Sequence, residues 1–101
     1  MLIRDRALGA ALAQALGANN AVLMRGHGAT VVADSLRLAV YRSEYAEVNA
    51  KLLLQTLPLG AVNYLTEAEA EAARMAVEGQ VDRPWQLWRR LARAADVSDS
   101  R

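Results

Sequence analysis

The residue whose setting best suits chemistry is His27, the single histidine of the 101-residue chain. It stands between Gly26 and Gly28, and a short apolar run lies on each side of this tripeptide. Two glycines let the backbone turn sharply and leave the imidazole uncrowded, which suits a metal ligand or an acid–base group at the floor of a cleft. A lone histidine is not a metal motif, and a hydrogen-bonded histidine in a turn fits the same spacing. The tripeptide leaves both interpretations open.

Arginine and tyrosine side chains are weaker candidates. Arg25 lies two residues before His27 and could contact a substrate anion, but an arginine at a strand end is usually solvated or ion-paired. Tyr41, Tyr45 and Tyr64 could donate protons. The helical spacing of the first two favours positions in the core, so we predict no catalytic residue among the tyrosines.

The charge balance excludes partners that bind by charge alone. With 12 basic and 11 acidic residues, the formal net charge is +1, so no global field attracts nucleic acid or an anionic membrane. Arg89, Arg90 and Arg93 form a short basic face that could meet phosphate. At this low net charge we interpret that face as solvated. Trp85 and Trp88 are predicted to anchor the core or a subunit interface.

The composition indicates one soluble domain, or part of one, spanning residues 1–101. A hydrophobic fraction of 53% with 23% charged residues is typical of a folded globular chain. The absence of cysteine excludes disulfides and thiolate sites, so a reducing cytoplasm is the default location. The apolar run within Met1 to Ala18 is short and interrupted. No segment approaches the roughly 18 apolar residues of a membrane-spanning helix, and we expect no leader peptide.

The hydrophobic periodicity predicts a helix, two strands and then three helices. Leu8, Leu12 and Leu16 recur at helical spacing, and the helix that they form should end at Gly17. Two short runs rich in apolar and β-branched residues predict buried strands on either side of the Gly-His-Gly tripeptide. These runs are Ala21 to Met24 and Ala29 to Ala33.

The longest predicted element is a helix from about Leu36 to Leu57, capped by Asp34 or Ser35 and stopped by Pro58. Its apolar positions form two adjoining stripes, so we expect it to be packed on two sides. One stripe consists of Leu38, Tyr41, Tyr45, Val48 and Leu52, and the other of Ala39, Ala46, Ala50, Leu53 and Leu57.

Two further helices are predicted. Thr66 and Glu69 form a capping box that opens a helix ending near Gly79. Pro84 suits the first position of the last helix. On that helix Trp85, Trp88, Leu91 and Ala95 share one face. We expect the polar tail from Val97 to Arg101 to be frayed.

Residues Val22 to Val32 form a strand, a His-Gly step and a second strand, and a long helix follows. Further matching positions are Ala39, Tyr45, Glu47, Asn49 and Ala50 in that helix, and then Leu59-Gly60 and Leu65-Thr66-Glu67. Over most of Leu8 to Ala73 this pattern resembles the class II aldolase/adducin family.

The resemblance implies an α/β fold, a partial α/β/α layered domain of which this chain would be the C-terminal portion. Members of the family hold a divalent metal, usually zinc, with three histidines. Two come from an upstream His-x-His, and the third comes from the His-Gly step that His27 matches. This chain has no His-x-His, and it carries Arg25-Gly26 where many members have asparagine before the His-Gly step.

Three hypotheses about function follow from the resemblance. The first is a fragment of a metal-dependent lyase that acts on a small hydroxy-carbonyl compound by aldol cleavage, epimerisation or decarboxylation, and that is inactive alone. The second is a non-catalytic binding or scaffolding module like adducin, and the third is a truncated reading frame without activity. The resemblance also implies a homo-oligomer. Tight zinc binding together with an upstream His-x-His would separate the first hypothesis from the other two.

Overall fold

The predicted order of elements is present in the computed structural model, which describes residues 2–99. Helix α1 is followed by a β-hairpin, the long helix α2, and helices α3 and α4. The bounds are Arg6–Leu16 for α1, Ala21–Met24 for β1, Gly28–Val31 for β2, Leu36–Thr56 for α2, Glu67–Glu78 for α3 and Asp82–Asp99 for α4, with a 3-10 turn at Leu57–Leu59. The described chain is mostly helical with a two-stranded sheet, and none of its helices is long and apolar enough to cross a membrane.

Side-chain caps start three of the helices, because the first backbone N–H groups of a helix have no partner within it. Asp5 caps α1 by accepting the N–H three residues further on at 2.8 Å. Ser35, rather than Asp34, caps α2. The predicted capping box of Thr66 with Glu69 opens α3, and both of its hydrogen bonds are present.

Helix α1 packs against β1 through the predicted leucine face. Leu8, Leu12 and Leu16 are half-buried, whereas most other positions of α1 are exposed. The helix ends at Gly17, whose φ of 55° is a value that glycine adopts at little cost. The prediction of the first helix is confirmed.

The two predicted strands pair as an antiparallel hairpin in which Ala21 lies opposite Val31. Strand β2 ends at Val31, two residues before the predicted Ala33. The expectation of buried strands is wrong, since alternate residues of β1 are exposed and Leu23 is 85% exposed. Helix α1 contacts β1 and α2 contacts β2. This partial cover leaves much of the pair open to solvent, which an antiparallel sheet tolerates.

Helix α2 is not packed on two sides, contrary to the prediction. Residues 38–42 are half-buried, but every residue of α2 from Ser43 onward is exposed. The exposed positions include Leu52 and Leu53, one from each predicted stripe. The contacts of α2 with Val32, directly after β2, and with the tryptophans of α4 come from Arg37, Tyr41 and Arg42, in or beside its half-buried segment. The apolar stripes of its second half face solvent.

Trp85 and Trp88 anchor α4 on α2, and both indole rings are half-buried. The ring centroid of Trp88 lies 6.3 Å from that of Tyr41. The guanidinium of Arg37 lies 6.0 Å from the ring centroid of Trp85, within the range of a cation–π contact. Leu91, predicted on the same face, is exposed.

Helix α4 begins at Asp82, two residues before the predicted first position, Pro84. The predicted start is therefore wrong. The first four N–H groups of a helix have no partner within it, so a proline fits at any position of the first turn and does not mark the first residue. The helix runs to Asp99, so the predicted frayed tail is helical up to that residue. Ser100 and Arg101 lie outside the described residues.

Hydrophobic burial within the described chain is slight, since Val81 is the one buried hydrophobic residue. The accessible surface is 8541 Å². A compact monomer of 11.0 kDa exposes about 5600 Å². The radius of gyration of 16.7 Å likewise exceeds the value of about 13 Å for a compact domain of this length. A large apolar surface is therefore exposed.

A polar contact joins three elements where apolar packing is sparse, and we call it the Arg42 clamp. From α2, Arg42 donates to the backbone carbonyl of Val32 at 2.8 Å and to the carboxylate of Glu78 on α3 at 2.7 Å. The side chains of Arg42 and Glu78 are 19% and 25% exposed. Glu78 also accepts from Arg74 at 2.8 Å. The hydrogen bond from Arg42, with the charges of Arg74 and Arg42, lowers the pKa of Glu78 against the opposing effect of desolvation.

Replacing Arg42 with alanine should lower the melting temperature by roughly 5 °C, because a half-buried carboxylate loses one of its two arginine donors and a backbone carbonyl loses its side-chain donor. Thermal unfolding followed by far-ultraviolet circular dichroism measures this. Lys51→Ala is the matched control on the same helix, since Lys51 pairs with Glu47 at side-chain exposures of 70% and 64% and such pairs stabilise little. An equal fall in melting temperature in both variants would show that the clamp stabilises the chain no more than an exposed ion pair does.

Acidification of the wild type and of Arg42→Ala separates a charge effect of the clamp from a loss of packing. Because folding lowers the pKa of Glu78, the stabilisation is fully present above the ordinary carboxyl pKa of 4.5 and is lost as the pH falls through the lowered folded value. The wild-type melting temperature should therefore drop on acidification below about pH 4.5 more than that of Arg42→Ala. Parallel curves would contradict the charge interpretation.

Candidate metal-ligand site

The end of the hairpin that carries His27 is a tight turn. Met24 and Gly28 form the last pair of the ladder, and a three-residue loop joins them. The backbone N–H of His27 donates to the carbonyl of Met24 at 3.0 Å. Gly26 has a φ of 68°, the positive value that the third residue of a type II turn requires.

Backbone conformation requires the glycines on both sides of His27. Gly28 has a φ of 147°, which, like that of Gly26, side-chain-bearing residues rarely adopt. No atom lies within 4 Å of the position that a Cβ would take at either glycine. The requirement is therefore conformational, and the expectation of a sharp turn around an uncrowded imidazole is confirmed.

The side chain of His27 is exposed at the tip of the hairpin. Its backbone N–H makes the turn hydrogen bond, while the ring has no hydrogen bond or ion pair with the residues that the structure describes. Contrary to the expectation, the ring does not lie at the floor of a cleft. Three cavities of the described chain are lined by other residues, and His27 contributes to none of these three.

The donor set within residues 2–99 fits one position of a metal site and not a whole site. No group of three or more histidine, cysteine, aspartate or glutamate side chains converges in this part of the chain. A catalytic zinc site uses three protein ligands and keeps one open position. His27 can fill one of these positions, and no catalytic step follows from the described residues alone.

The other candidate residues, an arginine and three tyrosines, differ in exposure and in their contacts. Arg25 shares the loop with His27, and its exposed side chain has no ion pair among the described residues. Tyr64 is exposed between α2 and α3. The rings of Tyr41 and Tyr45 have centroids 4.6 Å apart and are tilted by 32° to each other, and the predicted core position holds only for half-buried Tyr41. Burial and the neighbouring Tyr45 raise the pKa of Tyr41, so its phenol is protonated at neutral pH.

One cavity joins residues that the sequence analysis treated separately, and we call it the α2–α4 cleft. It has a volume of about 580 Å³. The two tyrosines of α2 line it together with Arg83, Leu87 and Arg90 of α4, and Val77 of α3 and Gln80 complete the lining with Pro84. Arg90 was predicted on a solvated face, and Arg83 was not singled out. The seven-residue spacing of the two arginines, which puts them on one helix face, is the signal that could have found this arrangement.

The segment that contains the hairpin identifies the family of this chain. The family model for the class II aldolase and adducin N-terminal domain matches residues 1–54, more than half of the 101-residue chain. The chain belongs to this family. The match spans α1, the His27 hairpin and most of α2, and it ends before Ala73, the limit of the resemblance expected from the sequence.

A curated relative adds an activity to the comparison. The chain is 34% identical to the decarboxylase tropJ of Talaromyces stipitatus over 107 aligned residues, which cover 87% of this chain. The chain spans 40% of the length of that relative. No solved structure matches the chain.

Replacing Gly26 with valine should destabilise the chain by about 1 kcal/mol or more and disorder the turn, because a β-branched residue disfavours positive φ. Gly26→Asn is the control, since asparagine enters the left-handed region more readily and nothing crowds its Cβ. Urea unfolding gives the stability, and the amide NMR signal of His27 reports the turn. Equal stability of the two variants would mean that the positive φ does not hold the loop.

Proposed function

We propose that His27 is one imidazole ligand of a divalent metal, zinc by family precedent, in a class II aldolase-type enzyme whose other ligands lie outside this chain. The observation that carries the proposal is the exposed ring of His27 on a glycine-bounded turn inside the family-matched segment. A neutral imidazole is the commonest metal ligand in proteins, and at this tip other ligands can approach it. The fixed turn would hold the ring in place for coordination.

The proposed reaction is decarboxylation of a small hydroxy-carbonyl compound. Aldol cleavage and epimerisation are the other reactions open to this family. The activity of the decarboxylase relative favours decarboxylation over both. When bound, the metal would polarise substrate oxygens and stabilise the negative charge that develops as a carbon–carbon bond breaks. Within this chain the assigned task is ligation by His27, and the proton-transfer group is expected in another segment.

The same proposal accounts for the open architecture. In a complete α/β/α layered domain the hairpin would be part of a larger sheet, and this chain would be the C-terminal portion of the domain. Its support is the exposed β1 face at Leu23 and the 40% coverage of the relative. A reducing cytoplasm is the proposed location, because the chain has no cysteine.

The isolated chain should bind zinc weakly and show no decarboxylase or retro-aldol turnover, because one imidazole cannot hold a catalytic metal. His27→Ala should remove the residual binding, and Arg25→Ala, in the same loop, should leave it unchanged. Calorimetry with zinc measures the affinity. Tight binding that survives His27→Ala, or turnover by the metal-loaded chain, would contradict the assignment.

The coding sequence directly upstream of Met1 tests the complete site. An in-frame His-x-His would support the enzyme, and the joined chain should bind zinc at least tenfold more tightly than this chain, with the gain lost in His27→Ala. A joined chain without zinc affinity would favour the adducin-like scaffolding module. The absence of any upstream reading frame would favour a truncated gene product without activity.

We also propose that copies of this chain associate into a dimer or higher oligomer through the exposed second half of α2. Leu53 on α2 and Leu57, one turn further on, are both exposed, and so large an apolar surface favours a partner. A second copy presents the same surface, as a two-fold interface requires.

Leu53→Arg should shift the oligomer toward monomer, because it places a charge in the centre of the apolar stripe. Gln55→Arg adds the same charge about 200° away around the helix and should leave the mass unchanged. Light scattering at micromolar concentration gives the mass. A monomeric wild-type chain, or an equal response of the two variants, would contradict association through this face.

A further inference from the structure

The α2–α4 cleft differs from its neighbouring cavities in its charge. Arg83 and Arg90 line it, no acidic side chain does, and neither arginine has an ion-pair partner among the described residues. The cavity beside the hairpin is also lined by two arginines, but Glu78 pairs with both of them and Glu71 pairs with Arg74. The cavity at the start of α4 is lined by Arg37 and its partner Asp82. The α2–α4 cleft alone of these three therefore carries uncompensated positive charge.

Helix geometry places the two arginines along one wall of the cleft. Seven residues span two turns, so their Cα atoms lie on one face of α4, roughly 10 Å apart along the axis. Pro84 and Leu87 lie between them and line the same cavity. The α4 wall thus offers a guanidinium near each end and an apolar stretch in the middle.

The opposite wall is aromatic. Tyr41 and Tyr45 of α2 line the cleft, with ring centroids 4.6 Å apart. Tyrosine rings stack against other planar groups, and their hydroxyls donate hydrogen bonds. The Tyr41 phenol is protonated at neutral pH, since burial and the neighbouring Tyr45 raise its pKa above an ordinary value that is already high.

We propose that the α2–α4 cleft binds an aromatic carboxylate, with its ring against Tyr41 and Tyr45 and its carboxylate held by Arg83 or Arg90. The volume of about 580 Å³ lies in the range of small-ligand sites, which combine apolar walls with a few placed polar groups. A guanidinium matches a carboxylate through two parallel hydrogen bonds. The site does not include His27, so its test is independent of the test of the proposed metal site.

Titration of the full chain with 2-naphthoate, 2-naphthamide and inorganic phosphate tests the proposal by calorimetry. The naphthoate should bind, and the neutral amide and the phosphate should each bind at least about tenfold more weakly, since each lacks either the charge or the ring. Arg83→Gln and Arg90→Gln should each weaken naphthoate binding by about tenfold or less, and the double variant should abolish it. Arg93→Gln, an equal loss of charge on the same helix, and His27→Ala should leave it unchanged.

Several outcomes would overturn the proposal. Equal affinity for the amide would mean an apolar groove without anion recognition, and equal affinity for phosphate would mean a charge site without aromatic recognition. Loss of binding in Arg93→Gln would indicate a diffuse charge effect. Absence of naphthoate binding would mean that the cleft does not recognise an aromatic carboxylate. Binding that disappears as the chain self-associates would indicate that a second copy fills the cleft. Circular dichroism of each variant confirms its fold, and Arg83→Lys should recover part of the affinity if charge at that position matters.

Discussion

The guanidinium of Arg42 is the contact on which the arrangement of this chain most depends. The described residues bury a single hydrophobic side chain, Val81, so apolar packing does little to fix the elements relative to one another. Arg42 instead binds the carbonyl of Val32, directly after the hairpin, and the carboxylate of Glu78 on α3. One half-buried side chain thereby holds the hairpin and α3 to α2. Charge-assisted hydrogen bonds to partly desolvated groups are among the stronger polar contacts, which suits this role.

The hairpin held by this clamp presents His27 in a defined turn and leaves its ring exposed. Its incomplete donor set and the exposed second half of α2 have a common explanation in the proposed function. Both are surfaces that groups outside the described residues would complete: metal ligands for the imidazole, and a second copy for the leucines. An imidazole on a rigid turn costs little to coordinate, because its backbone is ordered before the metal arrives.

The ion pairs of the chain leave the three cavities with different net charges. Glu78 and Glu71 together neutralise the two arginines beside the hairpin, and Asp82 neutralises Arg37 at the start of α4. Arg83 and Arg90 are left facing the tyrosines of α2 without a counter-charge. A net charge of +1 conceals this local excess, since formal totals carry no information about which ions pair.

Residue patterns that span only a few positions determined the helices, the hairpin and the turn around His27. The capping box of Thr66 with Glu69 and the positive φ of Gly26 depend on residues within a few positions of each other, so short patterns predict them. Family membership was also predictable, because the His-Gly step and its flanking strands are contiguous. Burial was not: the strands and α2 carry apolar patterns suited to a covered core, but pattern states only which face is apolar and not whether anything packs on it. Tertiary structure alone decided that the second half of α2 stays exposed and that Arg83 and Tyr41 line one cleft, because both depend on how elements far apart in the chain are arranged.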